Sequence, residues 1–354
     1  MRIVLTVICI LIAAISRADK IDDIVQKHMT TQKIPGVALM VIRNGKAIKM
    51  KGYGLANVEH KVPVKPETIF QIGSIGKQFT SMLVMMSVQD GQLKLEDSIS
   101  KYFPEAGGLW EGIQVRHLLS HTSGLARMRY SKMDLRKDYT EAELVRFMSD
   151  AAPIANPGEE WSYNNGGYVL LGILVKRLTG KFYGDLLHDR VFKPLGMKSA
   201  RIISESAIVP NRAAGYVLEA GGIRNQSWVS PQLNTTADGS LYLSLPDFQK
   251  WDAALNGTRL LKANYRDKLW TPFKLNNGKS SAGTNGTGYG FGWDIEMVGK
   301  HVAHGHGGAS QGFSTWYGRV PQQKISIVVL TNLDGDHSNP AVIGVEIFNS
   351  LIGN

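Results

Sequence analysis

In the run QIGSIGKQFT, residues 71–80, Ser74 is followed three positions later by Lys77. A serine hydroxyl is a weak nucleophile at neutral pH and needs a neighbour to remove its proton. Residues three apart share a helix face, so the Lys77 amine can reach the Ser74 hydroxyl. A helix N-terminus at Ser74 would also favour developing negative charge. Lysine acts as a base only when burial or positive neighbours lower its pKa. Alone the pair is a weak signal, because Ser98 and Lys101 repeat the spacing.

Two other groups add to it. WSYNNGGY places Tyr163 and Asn165 two apart at the start of an apolar helix. A tyrosine hydroxyl can relay a proton, and an asparagine amide can hold a substrate carbonyl. The same residues are also ordinary turn chemistry. HGHGGASQGF puts His304 and His306 in alternation on an expected strand, followed by Gly307 and Gly308. Paired glycines let backbone N–H groups approach a ligand, as an oxyanion hole requires. The alternative is a metal held by His301, His304 and His306, with no carboxylate close in sequence. Gly308 to Gly312 also matches G-x-S-x-G, the nucleophile elbow. That elbow needs a helix after it, and the strand-like FSTWYG follows instead, so the match is coincidental.

The elements that must position these groups are readable in part. Asn44-Gly45 between two apolar-rich runs predicts a hairpin with strands at about 36–43 and 46–54. From Lys77 the pattern turns helical and stops at Gly91. Residues from about 90 to 200 read as short helices and loops. Strand signals return after about 210 in SLYLS, GYGFGWDIEMV, HVAHGHGG, GFSTWYGRVP and ISIVVLTN, and PAVIGVEIFNSLI closes the chain as a helix. The order predicts one α/β sandwich, from about 19–75 and 205–354, with a mainly helical part at about 76–204. Substrate is expected in the cleft between the two.

At 354 residues and 43% hydrophobic, the chain can bury a large core. Residues 1–18 read as a secretory signal, with Arg2 before an apolar run and small residues at Ser16 and Ala18, so cleavage is expected before Asp19. An uncleaved anchor is the alternative. Periplasmic or secreted protein is expected. Cys9, the one cysteine, lies in that leader, which leaves the mature chain no disulfide, thiol nucleophile or thiolate metal site. The net charge of +10 comes from scattered lysines and arginines without interleaved aromatics, which argues against nucleic-acid binding.

Taken together, Ser74-Ile-Gly-Lys77, Tyr163-Asn164-Asn165 and His306-Gly307-Gly308, in this order, resemble the three motifs of the serine β-lactamase and penicillin-binding-protein superfamily. The similarity is greatest to class C β-lactamases and their DD-peptidase and family VIII esterase relatives. LLSHTSGL and NPGEEWSYNNGGYVLLG supply matching context. The resemblance implies an antiparallel sheet flanked by helices with an inserted helical region. It implies that Ser74 is acylated, that Lys77 and Tyr163 transfer protons, and that Asn165 orients the substrate amide. It further implies an oxyanion hole from the backbone N–H groups of Ser74 and Ala309, with His306 in place of the third motif's lysine and Gly307 in place of its threonine. A carbonyl substrate is expected (an ester, a D-amino-acid peptide or a β-lactam), with no metal or organic cofactor and no obligatory protein partner. His306 carries no fixed charge near neutrality. That weakens β-lactam hydrolysis and leaves a D-Ala-D-Ala carboxypeptidase-like peptidase or carboxylesterase. A β-lactamase and a catalytically silent cell-wall- or peptide-binding relative are the alternatives.

Overall fold

The computed structural model describes residues 20–128, 132–134, 137–202, 207–226, 236–281, 283 and 287–352. The expected signal sequence and residues 129–131 and 135–136 of the loop RMRYSKMDLRKDY lie outside these residues. The expected hairpin is present as β1 (Gly36–Arg43) and β2 (Lys46–Asn57). Asn44 and Gly45 both take positive φ, 52° and 75°, as a tight two-residue turn demands. A short β3 (Val62–Pro63) pairs with β2. Near the C-terminus come β4 (Asp294–Val298), β5 (His301–Ser310), β6 (Phe313–Val320) and β7 (Ile325–Thr331). They assemble as one seven-stranded sheet in the order β3-β2-β1-β7-β6-β5-β4. Every pairing in it is antiparallel, so distant chain segments meet where β1 joins β7.

Strand alternation explains the two layers around this sheet. Val37, Leu39, Val41, Ile327 and Val329 point to one face. There they pack on α1 (residues 20–32) and on the closing helix, Pro340–Ile352, through Val25, Ile347 and Phe348. Ala38, Met40, Ile42, Val328 and Leu330 point the other way, into a larger core shared with the helical residues. That core contains α2 (Gly76–Gln89) and α3 (Val115–Leu119), with α4 (Asn165–Thr179) beside them. Helix α2 is buried along nearly all its length, which is why its apolar pattern is broad rather than a stripe. The mixed architecture is the one anticipated: an antiparallel sheet flanked by helices.

One segment differs from the sequence-based reading. GYGFGWDIEMV is a strand only from Asp294. Before it, the Gly290 N–H donates to Trp293 O at 2.9 Å, closing a turn. Glycines at 288, 290 and 292 offer little cross-strand packing, so the strand begins where they end. SLYLS forms its strand, Leu241–Leu243, in a separate three-stranded sheet with 70–71 and 201–202. The G-x-S-x-G match is the β5–β6 hairpin turn and not a strand-to-helix elbow.

Candidate active site

Ser74 sits in a single 3₁₀ turn, Gly73–Ile75, that runs directly into α2. Strand β5 lies against this turn at backbone distance. A Cβ on Gly308 would come within 2.0 Å of Ile72 O, and one on Gly73 within 2.7 Å of Ala309 N. Gly73 also has φ +53°, which favours glycine in its own right. Thr315 on β6 donates its hydroxyl to Ile72 O at 2.8 Å and pins the turn to the sheet. Glycine at both positions thus brings the Ala309 N–H beside the Ser74 backbone.

Lys77 lies one turn into α2 and is wholly buried. Its Nζ donates to Ser74 Oγ at 2.9 Å and to the main-chain oxygen of Asp238 at 2.5 Å. Burial pushes its pKa down to about 8, against a smaller upward pull from Asp238. Tyr163 is hydrogen-bonded to Ser74, and its ring centroid lies 5.1 Å from Lys77 Nζ. Burial holds the Tyr163 phenol well above its ordinary pKa of 10.0, despite the opposing bond to Ser74. Ser74, Lys77 and Tyr163, some ninety residues apart in the chain at the extremes, therefore form one hydrogen-bonded cluster.

His306 is buried on β5. Its Nδ1 bonds Gly307 O at 2.5 Å, so the proton is on Nδ1, and Nε2 accepts from the Tyr289 hydroxyl at 3.0 Å. Burial, aided by Lys77, lowers its pKa; Asp294 and the Gly307 carbonyl oppose this. A neutral imidazole satisfies all of these bonds. The three histidines considered for metal binding go to separate partners. His304 stacks on Trp270 at 5.5 Å, His306 bonds Tyr289, and His301 meets Gln322 and Gln323.

A cavity of about 520 Å³ opens above this cluster, lined by Ser74, Tyr163, His306, Gly307, Gly308 and Ala309. Asn165 is not among the residues lining it. Asn164 caps α4 by accepting from the Gly166 N–H at 3.0 Å, and Asn165 follows as the first helical residue, its Oδ1 buried without a partner among the described residues.

His121, Tyr168, Tyr289 and Trp161 were not singled out from sequence. The Tyr168 hydroxyl donates to Leu119 O at 2.7 Å and meets Ser81 Oγ at 3.1 Å. His121 lies beneath Tyr163, ring centroids 4.3 Å apart. It grips the Tyr163 segment from both sides. Its carbonyl accepts from the Ser162 N–H at 2.8 Å and its Nδ1 from the Asn164 N–H at 3.2 Å. Burial, then Lys77 and His306, hold its pKa far below 6.5, so it is neutral. It adopts φ +58°, a conformation costly for most side chains but tolerated by asparagine. The only sequence cue was its place in LLSHTSGL. His121→Ala is expected to lower kcat by ~10²-fold through misplacement of Tyr163, with a smaller change in KM. His121→Asn keeps an acceptor and tolerates the backbone, so it should recover part of the loss. Equal loss in both variants would show that the ring stack, not the Asn164 bond, holds Tyr163.

A nucleophile hydrogen-bonded to a buried amine and a phenol, beside backbone N–H groups and under an open cavity, is the apparatus of a serine acyl-transfer hydrolase. The comparisons agree. The model of the Beta-lactamase family matches residues 21–348, and the chain belongs to that family, a serine hydrolase of the β-lactamase and penicillin-binding-protein superfamily. It is 26% identical over 321 residues to a penicillin-binding protein of Bacillus subtilis (strain 168), covering 84% of this chain and 68% of that one. It is 28% identical to Protein flp of Staphylococcus aureus over 90% of this chain, which spans 64% of that protein's length. Among solved structures it is similar to the octameric penicillin-binding protein homologue of Pyrococcus abyssi, with a TM-score of 0.84, 29% identity, and coverage of 95% and 78% of the two chains. It is also similar to the D-amino acid amidase of Ochrobactrum anthropi complexed with L-phenylalanine amide, with a TM-score of 0.81, 25% identity, and coverage of 95% and 99%.

Proposed function

We propose that this chain is an exported hydrolase that cleaves esters or D-amino-acid amides and peptides through an acyl-enzyme on Ser74. The observation that carries this is Lys77: fully buried, its pKa pushed down to about 8, and bonded to Ser74 Oγ at 2.9 Å. In its neutral form the amine takes the Ser74 proton as Oγ attacks the substrate carbonyl carbon. The oxyanion forms beside the N–H groups of Ser74 and Ala309. The phenol of Tyr163, which burial keeps protonated, passes a proton to the leaving group as the carbonyl bond to it breaks. Water then attacks the acyl-enzyme by the reverse path and frees the acid.

The neutral His306 favours esters and amides over β-lactams, because a substrate carboxylate would meet no fixed positive charge there. The relatedness to a D-amino acid amidase supports amide substrates. Export rests on the N-terminal residues 1–18, and N-terminal sequencing of the mature protein tests it by showing whether the chain begins at Asp19.

The mechanism is tested by mass spectrometry of the purified protein after exposure to a labelled penicillin and, separately, to a p-nitrophenyl ester. An adduct on the Ser74 peptide, absent from Ser74→Ala, is the expected result. Turnover of the ester with a lasting penicillin adduct fits an esterase or peptidase, and rapid release of both fits a β-lactamase. Absence of both adduct and turnover would move the protein to the silent binding relatives.

A further inference from the structure

One glycine lining the cavity over Ser74 is not explained by the packing around it. Strand β5 carries Gly305, Gly307 and Gly308, and backbone approach demands two of them. A Cβ on Gly308 would meet Ile72 O at 2.0 Å, and one on Gly305 would meet Tyr317 O at 2.9 Å. A Cβ on Gly307 would meet no atom beyond its chain neighbours closer than Thr315 O, at 4.0 Å. Gly307 does not take positive φ either, so its backbone suits other residues. The space over it belongs to the cavity. Gly307 pairs directly with Trp316 on β6, and a cross-strand aromatic ring can cover a bare glycine. Here the indole leans away. It is lodged between Gly318 and Gly344 of the closing helix, where added Cβ atoms would come within 2.3 and 2.1 Å of it. There it meets the Phe348 ring edge-on at 5.9 Å. The indole thus borders the space without filling it, and Pro340 and Ala341, at the start of the closing helix, line the same cavity. Polar groups on this side are already used: Ser314 Oγ donates to Ser338 O at 3.1 Å, and Ser338 Oγ bonds Thr331 Oγ1 at 2.8 Å.

We propose that the bare face of Gly307 is the floor of an apolar subsite for the leaving group. Gly307 sets specificity by keeping that subsite open, so the enzyme selects esters and amides whose leaving group carries a bulky apolar substituent. The proposal rests on the hydrolase reading of Ser74. Two fixed points orient the substrate there: its carbonyl oxygen at the Ala309 N–H and its leaving atom at the Tyr163 hydroxyl. Tyr163 stands at the His306 end of the cavity, the two ring centroids 6.1 Å apart. A leaving group held by Tyr163 therefore continues along β5 past Gly307. An apolar substituent in that space exchanges water for the indole, Pro340 and Ala341, and leaves no polar group without its partner.

The test uses esters of one acyl group with ethanol, 3,3-dimethylbutanol and 2-phenylethanol, whose bulk begins beyond the carbon that bears the oxygen. Each kcat/KM is divided by the ester's own hydroxide-catalysed rate to remove intrinsic reactivity. The normalised 2-phenylethyl:ethyl ratio is expected to be ~10- to 100-fold, the effect of burying an aromatic side chain, with the dimethylbutyl ester between. Gly307→Val and Ala341→Phe, which fill the space from the strand and from the helix, should each lower that ratio ~10-fold. The second variant tests the same idea if the first does not fold. The acyl side is measured in parallel with ethyl propionate and ethyl 3-phenylpropionate, whose ratio neither variant should move. A wild-type alcohol ratio near one, or one that neither variant moves, overturns the inference while leaving the hydrolase reading in place. Variants that move the acyl ratio instead overturn it too. No turnover of any ester and no Ser74 adduct overturns both readings.

Discussion

Lys77→Met is expected to lower kcat/KM by about 10²- to 10⁴-fold, the range for removing a general base, while making the folded protein more stable. The two effects have one cause. Lys77 is fully buried among aromatic rings, with Tyr163 and Tyr168 at 5.1 and 5.4 Å from Nζ. Removing a charged amine from water is costly, and the pKa falls from 10.5 to about 8 as a result. The unfolded chain holds its proton up to 10.5, so between pH 8 and 10.5 it binds more protons than the folded one. Stability therefore rises with pH through that window, and below pH 8 the whole penalty, about 3 kcal/mol, is present. Methionine has similar length and no charge, so at pH 7 its variant should melt several degrees higher and lose the rise between pH 8 and 10.5. Activity moves oppositely. Wild-type kcat/KM should climb as pH passes through about 8, because only the unprotonated amine accepts the Ser74 proton. In the variant that ascending limb should vanish. A variant that retains activity within tenfold, or that melts lower than the wild type, would remove Lys77 from the role of base.

How much of this site could be read from the sequence follows from how local each feature is. Ser74 and Lys77 were legible because i,i+3 spacing on a helix dictates contact. The Asn44-Gly45 turn was legible because few residues accept positive φ twice in succession. The partners that give Lys77 its chemistry were not. Asp238, whose carbonyl accepts a hydrogen bond from its Nζ, is 161 residues away, and Tyr168 and Tyr289 reach the site from unrelated segments. No spacing rule links such residues; only the folded core does. His306 shows the middle case. Its position on a strand beside two glycines was visible, whereas its tautomer depends on a tyrosine seventeen residues upstream and on its own neighbour's carbonyl, and its neutrality on burial in the folded core. Asn165 shows how a neighbour can share a motif: the backbone at the start of α4 places Asn164 in the cap and Asn165 as the first helical residue, and Asn165 is not among the residues lining the cavity.

Tyr163→Phe should discriminate between leaving groups rather than slow every substrate alike. Phenylalanine keeps the ring that stacks on His121 at 4.3 Å and removes only the hydroxyl bonded to Ser74. Because burial holds that phenol well above its ordinary pKa, it stays protonated across the working pH range, and its natural act is to give a proton, not to take one. A departing p-nitrophenolate is stable as an anion and needs no proton. An alkoxide or an amide nitrogen does. The expected loss is therefore ~10²- to 10⁴-fold in kcat/KM for an amide or alkyl ester, and tenfold or less for the p-nitrophenyl ester. The measurement is a series of esters sharing one acyl group, with the rate ratio of wild type to variant plotted against leaving-group basicity. A rising line places Tyr163 at the breaking bond, with Lys77 at the attacking one. A flat line, with every ester slowed equally, would mean that Tyr163 acts on Ser74 before the leaving group matters. In that case the lysine serves to draw the phenol's proton away, and the two residues exchange the roles assigned to them here.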